Sequence, residues 1–439
     1  MTRLKGVDLL ALGFMTFSLF LGAGNIIFPA SAGMAAGEHI WSAAFGFLLT
    51  GVGLPLLTVI ALARVGGGMP ALTSPLGKVA GVALAVAVYL AIGPLFATPR
   101  TAVVSFEIGI APFSGHSEVA LLLYSLLFFA VVLFLVLFPG RLIDSLGKLI
   151  TPVLILALIL LGCAAVFYPV GPVGTVAESY SQAPLAKGFL EGYLTMDALG
   201  ALVFGVVIAT AIRDRGVSEP ALVTRYSIYA VLIAALGLAL VYLSLFYLGA
   251  TSQSIAAGAE NGGKILTLYV QQSFGTPGSI LLAVVICLAC LTTAVGLMTA
   301  CGEFFSELLG TSYRGTATVF VLFSLLVSNV GLSQLISFSI PVLVGLYPLA
   351  IVLVGLSLAD RLWLSAPRIF IPVMAVTLVF GLADGLHAAN LGEWVPAVLK
   401  RLPLAELNMG WLVPVLVTLL LAVMYDRLTG RKRAPAGSQ

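Results

Sequence analysis

The sequence predicts an all-α polytopic membrane protein with twelve transmembrane helices, on three observations. Apolar runs of about 18 residues or more recur from one end of the chain to the other, each long enough to cross the hydrocarbon core as a helix. Of 439 residues, 60% are hydrophobic and 9% are charged, with mean hydropathy +1.14, a balance that excludes a water-soluble globule. The runs are continuous instead of alternating with period two, which excludes a β-barrel.

The twelve spans fall at about 7–35, 40–63, 76–109, 118–138, 147–168, 195–212, 226–249, 277–301, 316–330, 335–357, 369–384 and 409–426. The opening Met-Thr-Arg-Leu-Lys lacks the cleavage pattern of a signal peptide, so the first span is expected to be retained. An even count with a cytoplasmic N-terminus places 16 of the 21 Lys and Arg residues inside and four outside. That bias supports both the count and the orientation, with both termini cytoplasmic. The basic tail, Arg427 to Arg433, then reads as a topology anchor and not as a nucleic-acid arm.

The first span is not an ordinary membrane helix. Its centre, Phe17-Ser-Leu-Phe-Leu-Gly-Ala-Gly-Asn-Ile-Ile-Phe-Pro29, holds two glycines, one amide side chain and a proline. Glycine lowers helix stability by about 1 kcal/mol relative to alanine, and proline removes a backbone donor. In lipid, non-helical backbone survives only when buried in protein or lining a watery cavity. A packing notch would explain the glycines alone. Freed carbonyls that hold a cation, and a half-helix N-terminus that holds a carboxylate, would explain the whole stretch.

The architecture suggests a repeat. Spans 1–5 and 6–10 make two units of five, and an odd number per unit forces inverted topology. The units are residues 1–168 and 195–359, separated by an outer loop, 169–194. Residues 360–439 hold spans 11 and 12 and the basic tail. The sixth span should then be broken like the first, with Gly200 and Gly205 where the break would fall. The outer loops at 169–194 and 250–276 are long enough for short surface helices. Cys301 to Tyr313 reads as a helical continuation along the inner surface.

Two further spans carry polar groups. In span 8, Thr292 and Thr293 are adjacent hydroxyls in an apolar helix. Bonding to their own i−4 carbonyls is one reading. A Na⁺ site is the other, with Thr292, Thr293 and the Ala289 carbonyl joined by carbonyls released around Ser18 and Leu21. In span 3, Gly93-Pro94 and Pro99 predict a kink. Arg100 should snorkel to the interface, or face a watery path as a gate with Glu107 as its neighbour. Asp197, Asp384 and Glu393 are expected near the outer boundary, and Asp8 and Asp360 near the inner one. With no acid at mid-membrane, half-helix ends would satisfy an amino-acid zwitterion. The carboxylate would meet amides of Gly22, Ala23, Gly24 and Asn25. The ammonium would meet carbonyls of the sixth helix from Gly200 to Phe204. Phe204, Gly205, Val203 and Tyr89 would form walls suited to a branched aliphatic group.

These residues carry a resemblance. Phe20-Leu-Gly-Ala-Gly-Asn-Ile-Ile-Phe-Pro29, Gly93-Pro-Leu-Phe-Ala-Thr-Pro-Arg-Thr101 and Thr195-Met-Asp-Ala-Leu-Gly-Ala-Leu-Val-Phe-Gly205 resemble the bacterial branched-chain amino acid carrier family. The likeness runs from Phe14 to Arg427. It implies symport of leucine, isoleucine and valine with Na⁺, or in some members H⁺, across the bacterial inner membrane. It also implies the fold of the neurotransmitter:sodium symporters, with helices 1 and 6 unwound at the site. Gly22 to Asn25 falls on that group's glycine-rich turn, and Thr292 and Thr293 on its second sodium site. Asn-Ile-Ile-Phe-Pro lacks that group's gating arginine, a task Arg100 could assume.

Other classes fit less well. A channel would need a continuous polar stripe, and a sensor a soluble domain. An enzyme would need a nucleophile–base pair or a metal cluster. Cys287-x-x-Cys290 lacks further ligands, and the three histidines are scattered. No cofactor beyond the coupling ion and no nucleic-acid or obligatory protein partner is expected. The alternatives are an H⁺-coupled carrier of the same substrates, or a cation-coupled carrier of another small zwitterionic or neutral solute.

Overall fold

A computed structural model describes residues 4–138 and 141–429. Arg3 and the tail residues Arg431, Lys432 and Arg433, which contribute to the charge bias, lie outside them. Among the described residues, eight helices are long and apolar enough to cross a membrane. Three shorter apolar helices and one bent helix pair accompany them. The chain is therefore a multi-pass helical membrane protein.

The first predicted span is two helices, α1 (Gly6–Phe20) and α2 (Ala23–Ala36), parted at Leu21 and Gly22. Pro29 lies inside α2 without ending it. Gly37, at φ 49°, turns the chain into α3 (Ile40–Leu48), a π turn at Leu49–Gly53 and α4 (Leu54–Val65). The third span kinks where Gly93 and Pro94 predict. The turn Ala91–Leu95, with Gly93 at ψ −114°, separates α5 (Lys78–Leu90) from α6 (Ala97–Gly109). Then come α7 (Glu118–Leu137) and α8 (Arg141–Phe167).

The stretch 169–194, predicted as an outer loop, does hold a helix, α9 (Pro184–Glu191), followed by the tight turn Gly192–Thr195 and α10 (Asp197–Arg213). The remaining long elements are α11 (Pro220–Ala250), α12 (Gly262–Leu309), α13 (Tyr313–Ser328), α14 (Leu332–Leu358), α15 (Ala366–Ala388) and α16 (Leu412–Thr429). α12 breaks at Gly275, φ 62°, just before Pro277. Its first part therefore occupies the predicted outer loop at 250–276, and its last part is the helical continuation through Cys301. Side-chain caps set several starts. Ser117 accepts from the Ala120 amide at 3.1 Å, and Ser312 from that of Gly315 at 3.2 Å. Each satisfies an amide that the first helical turn leaves unpaired.

Packing around α2 is backbone to backbone. A methyl group built on Gly33 would lie 2.0 Å from the Phe246 carbonyl oxygen, and one on Gly249 2.0 Å from that of Ala30. One on Gly262 would lie 1.8 Å from the Ile27 oxygen. Without water-driven burial between helices, such small-residue contacts are how membrane helices approach closely. α2 is thus clamped by α11 and α12 from its middle onward. Its first turn remains beside a cavity. At the periphery, Leu122, Leu123, Leu126 and Leu127 on α7 are exposed, as a face turned to lipid requires.

Candidate functional site

The break between α1 and α2 is held open by its own residues. The Leu21 amide closes α1 on the Phe17 carbonyl at 2.9 Å. Gly22 is extended, and its amide donates to Asn25 Oδ1 at 3.0 Å. A helix interrupted in this way leaves last-turn carbonyls and first-turn amides without intrahelical partners.

The second break faces the first. α9 and the turn after it meet α10 at 43°. The hinge is Met196, whose φ of 62° is left-handed. It is not at Gly200 or Gly205 as the repeat argument expects. Gly200 donates its amide to the Met196 carbonyl at 2.8 Å as an ordinary helical residue, and Gly205 abuts Leu62.

A cavity of about 50 Å³ lies between the breaks. Gly22, Ala23, Gly24 and Asn25 line it from helix 1, Asp197, Gly200 and Phe204 from α10, Arg100 and Thr101 from α6, and Thr293 from α12. A methyl group built on Gly22 would lie 3.5 Å from Thr293 Cγ2, so the threonine sits directly across from the helix-1 break. Both Thr292 and Thr293 donate to the Ala289 carbonyl, at 2.9 and 3.0 Å. Ser18 and Leu21 belong to the last turn and cap of α1.

Four expected neighbours are elsewhere. Tyr89 stacks on Phe304 with ring centroids 4.0 Å apart, outside the cavity lining. Val203 is buried but does not line it, and neither does Gly205. Glu107 faces His116 at 3.2 Å and not Arg100. The separation reflects helix geometry: Glu107 is seven residues past Arg100, about two turns or 10 Å along α6.

The largest correction concerns Asp197. The sequence reading places it near the outer boundary, but it is 4% exposed and lines the cavity. Asn25 Nδ2 donates to its Oδ2 at 2.6 Å, and the Tyr242 hydroxyl donates to the same oxygen at 2.7 Å. Asn25 also donates to the Tyr242 hydroxyl. The reason is an extra helical arm: Pro184–Thr195 precedes the hinge, so Asp197 opens the second arm of a bent pair and packs against Asn25 at the helix-1 break. The missed signal is the carboxylate two residues after Thr195, in a segment whose glycines already suggest a break.

Arg100 is also buried, at 2% exposure. Its Nη1 donates to the Leu194 carbonyl at 2.6 Å and its Nη2 to Ser339 Oγ at 3.0 Å. Its guanidinium lies 5.0 Å from the centroid of the Phe28 ring. This is an interior arginine, which excludes the snorkelling reading.

This arrangement can be set beside known proteins. The chain matches the family described as branched-chain amino acid transport protein over residues 5–429. The chain belongs to that family. Among its relatives, the branched-chain amino acid transport system 2 carrier protein of Pseudomonas aeruginosa is 71% identical, covering 99% of each chain. The branched-chain amino acid permease BrnQ of Escherichia coli is 52% identical, covering 98% of each. A solved structure of Mhp1, a nucleobase-cation-symport-1 family transporter in a closed conformation, superposes with TM-score 0.60 at 14% identity. The match covers 95% of this chain and 91% of Mhp1. An inward-facing structure of Mhp1 matches at TM-score 0.61. These likenesses establish a transporter fold. Membership in the branched-chain amino acid transport family makes the chain a membrane transport protein and not an enzyme.

Proposed function

We propose that this chain imports leucine, isoleucine and valine by Na⁺ symport through alternating access, across the bacterial inner membrane. The observation that carries the reading is the cavity between the two helix breaks, with Thr293 across from Gly22. The names of the relatives support the substrates. The cargo carboxylate sits at the first-turn amides of α2, where the helix dipole favours an anion. The Na⁺ takes oxygens from Thr292, Thr293, Ala289 and the end of α1 at Ser18 and Leu21. Na⁺ is a hard cation served by converging carbonyl and hydroxyl oxygens. Alternation proceeds as rocking of two inverted units, 1–168 and 195–359, about this site, with residues 360–439 packed on the flank and both termini cytoplasmic.

The test is leucine uptake by the purified protein in vesicles under a Na⁺ gradient, a proton gradient or neither. Na⁺-driven accumulation is expected. Uptake that ignores both gradients would sink the symport claim. Accumulation driven by the proton gradient alone would move coupling to a proton, a reading that the cavity-lining carboxylate of Asp197 favours.

A further inference from the structure

The cavity carries two buried charges of opposite sign that do not pair with each other. Asp197 is 4% exposed and Arg100 is 2% exposed, and both line the same space. Among the described residues no ion pair of 4 Å or less joins them. A carboxylate or guanidinium taken out of water is strongly disfavoured unless it is compensated by charge and hydrogen bonds. Here compensation is partial. Asp197 has only neutral partners, Asn25 and Tyr242 with the Thr195 hydroxyl beside them. Arg100 has two neutral acceptors, and its buried Nε has no hydrogen-bond partner.

The placement of the two charges is specific. Both flank the first turn of α2. A methyl group built on Gly24 would lie 3.4 Å from Arg100 Nη1, while the next residue, Asn25, binds Asp197. Successive helical residues point about 100° apart, so the two charges approach that turn from different directions. They also straddle the second break. Arg100 holds the carbonyl of Leu194 before the Met196 hinge, and Asp197 follows it.

We infer that Arg100 and Asp197 form a charge cradle for the zwitterion, Arg100 taking the α-carboxylate and Asp197 the α-ammonium of the cargo. The inference rests on the proposed amino-acid cargo. It replaces a cradle of helix ends alone with one that uses two side chains, and it makes the empty site neutral overall. A solute with only one of the two charges leaves the other side chain buried and uncompensated. Selection is therefore for zwitterions as a class, and the aliphatic walls choose among them.

The test is calorimetric binding to the purified full-length chain of three ligands: leucine, 4-methylpentanoate (leucine without its ammonium) and 3-methylbutylamine (leucine without its carboxylate). Wild type should bind each single-charge analogue on the order of 100-fold more weakly than leucine, the scale of a lost charged hydrogen bond in a buried site. Asp197→Asn should weaken leucine by about the same factor and leave 4-methylpentanoate within about 3-fold. Arg100→Gln should do the converse with 3-methylbutylamine. Asp197→Glu and Arg100→Lys keep the charges and should recover part of the leucine affinity. Wild-type binding of either analogue within about 5-fold of leucine overturns the cradle even if no variant folds. So does a folded Asp197→Asn protein with unchanged leucine affinity. Wild type that does not bind leucine at all overturns the cargo reading itself, a separate outcome.

Discussion

Asn25 on α2 and Asp197 on α10 are joined by a 2.6 Å hydrogen bond that ties one helix break to the other. The same amide supports its own break, because Asn25 Oδ1 accepts from the Gly22 amide at 3.0 Å. One side chain therefore fixes the geometry of both half-helix ends.

Replacing it tests that coupling. Asn25→Ala leaves the Gly22 amide without its acceptor and the buried carboxylate of Asp197 with one donor fewer. Each buried group left unsatisfied costs about 1–3 kcal/mol. Leucine uptake should fall at least about tenfold, and the melting temperature of the purified protein should drop. Wild-type uptake and stability together would show that the bond is dispensable.

Glycines at the breaks separate into two kinds. A methyl group on Gly24 would lie 3.2 Å from the Leu194 carbonyl oxygen and 3.4 Å from Arg100 Nη1. One on Gly200 would meet nothing closer than the Phe204 ring at 3.7 Å, an ordinary contact. Gly24→Ala should therefore lower the melting temperature of the purified protein, by pressing on the Leu194 carbonyl that holds Arg100 and on the Phe28 ring, while Gly200→Ala, which meets only ordinary protein contacts, should lower it less. Thermal melting of both purified variants checks this, and equal shifts would mean that the space beside Gly24 does not matter.

Much of this was legible from residue order. The glycines and the asparagine of Gly22-Ala-Gly-Asn25 mark a broken helix because lipid offers exposed backbone no partner, whereas Pro29 sits inside α2. Gly93-Pro94 likewise marks the kink between α5 and α6. The second break lies a few residues ahead of the glycines that suggest it, because its hinge, Met196, is neither glycine nor proline, and propensity gives no warning of a left-handed methionine. The burial of Asp197 is hidden for a related reason. α9 contains Lys187 and Glu191, an i, i+4 ion pair at 2.9 Å, and so does not read as half of a membrane crossing. The acceptors of Arg100, Leu194 and Ser339, come from distant segments that only folding brings together.

Tyr242 offers a narrower probe of the same cluster. Its hydroxyl donates to Asp197 Oδ2 at 2.7 Å, and the residue is fully buried. Tyr242→Phe removes the hydrogen bond to the carboxylate and the one accepted from Asn25, but no charge. A hydrogen bond to a charged group contributes about 1.5–3 kcal/mol. Leucine affinity should therefore weaken by roughly ten- to a hundredfold, with Asn25 still holding the carboxylate. Titrating leucine uptake in vesicles gives the number, and an unchanged half-saturation point would exclude Tyr242 from the site.

The two threonines of α12 separate ion binding from helix packing. Both donate to the Ala289 carbonyl, so each substitution removes a comparable intrahelical bond. Thr293 lines the cavity opposite Gly22, and Thr292 is not among its lining residues. If the hydroxyls serve only the helix, Thr292→Ala and Thr293→Ala should lower expression alike and leave the dependence on Na⁺ unaltered. If they hold the coupling ion, Thr293→Ala should raise the Na⁺ concentration for half-maximal leucine uptake about tenfold or more, and Thr292→Ala by a smaller factor, because a ligand oxygen is worth most where the ion sits. The measurement is uptake in vesicles over a range of external Na⁺ at fixed leucine. Identical Na⁺ curves for both variants and wild type would remove the threonines from the ion site and leave coupling to be sought at Asp197.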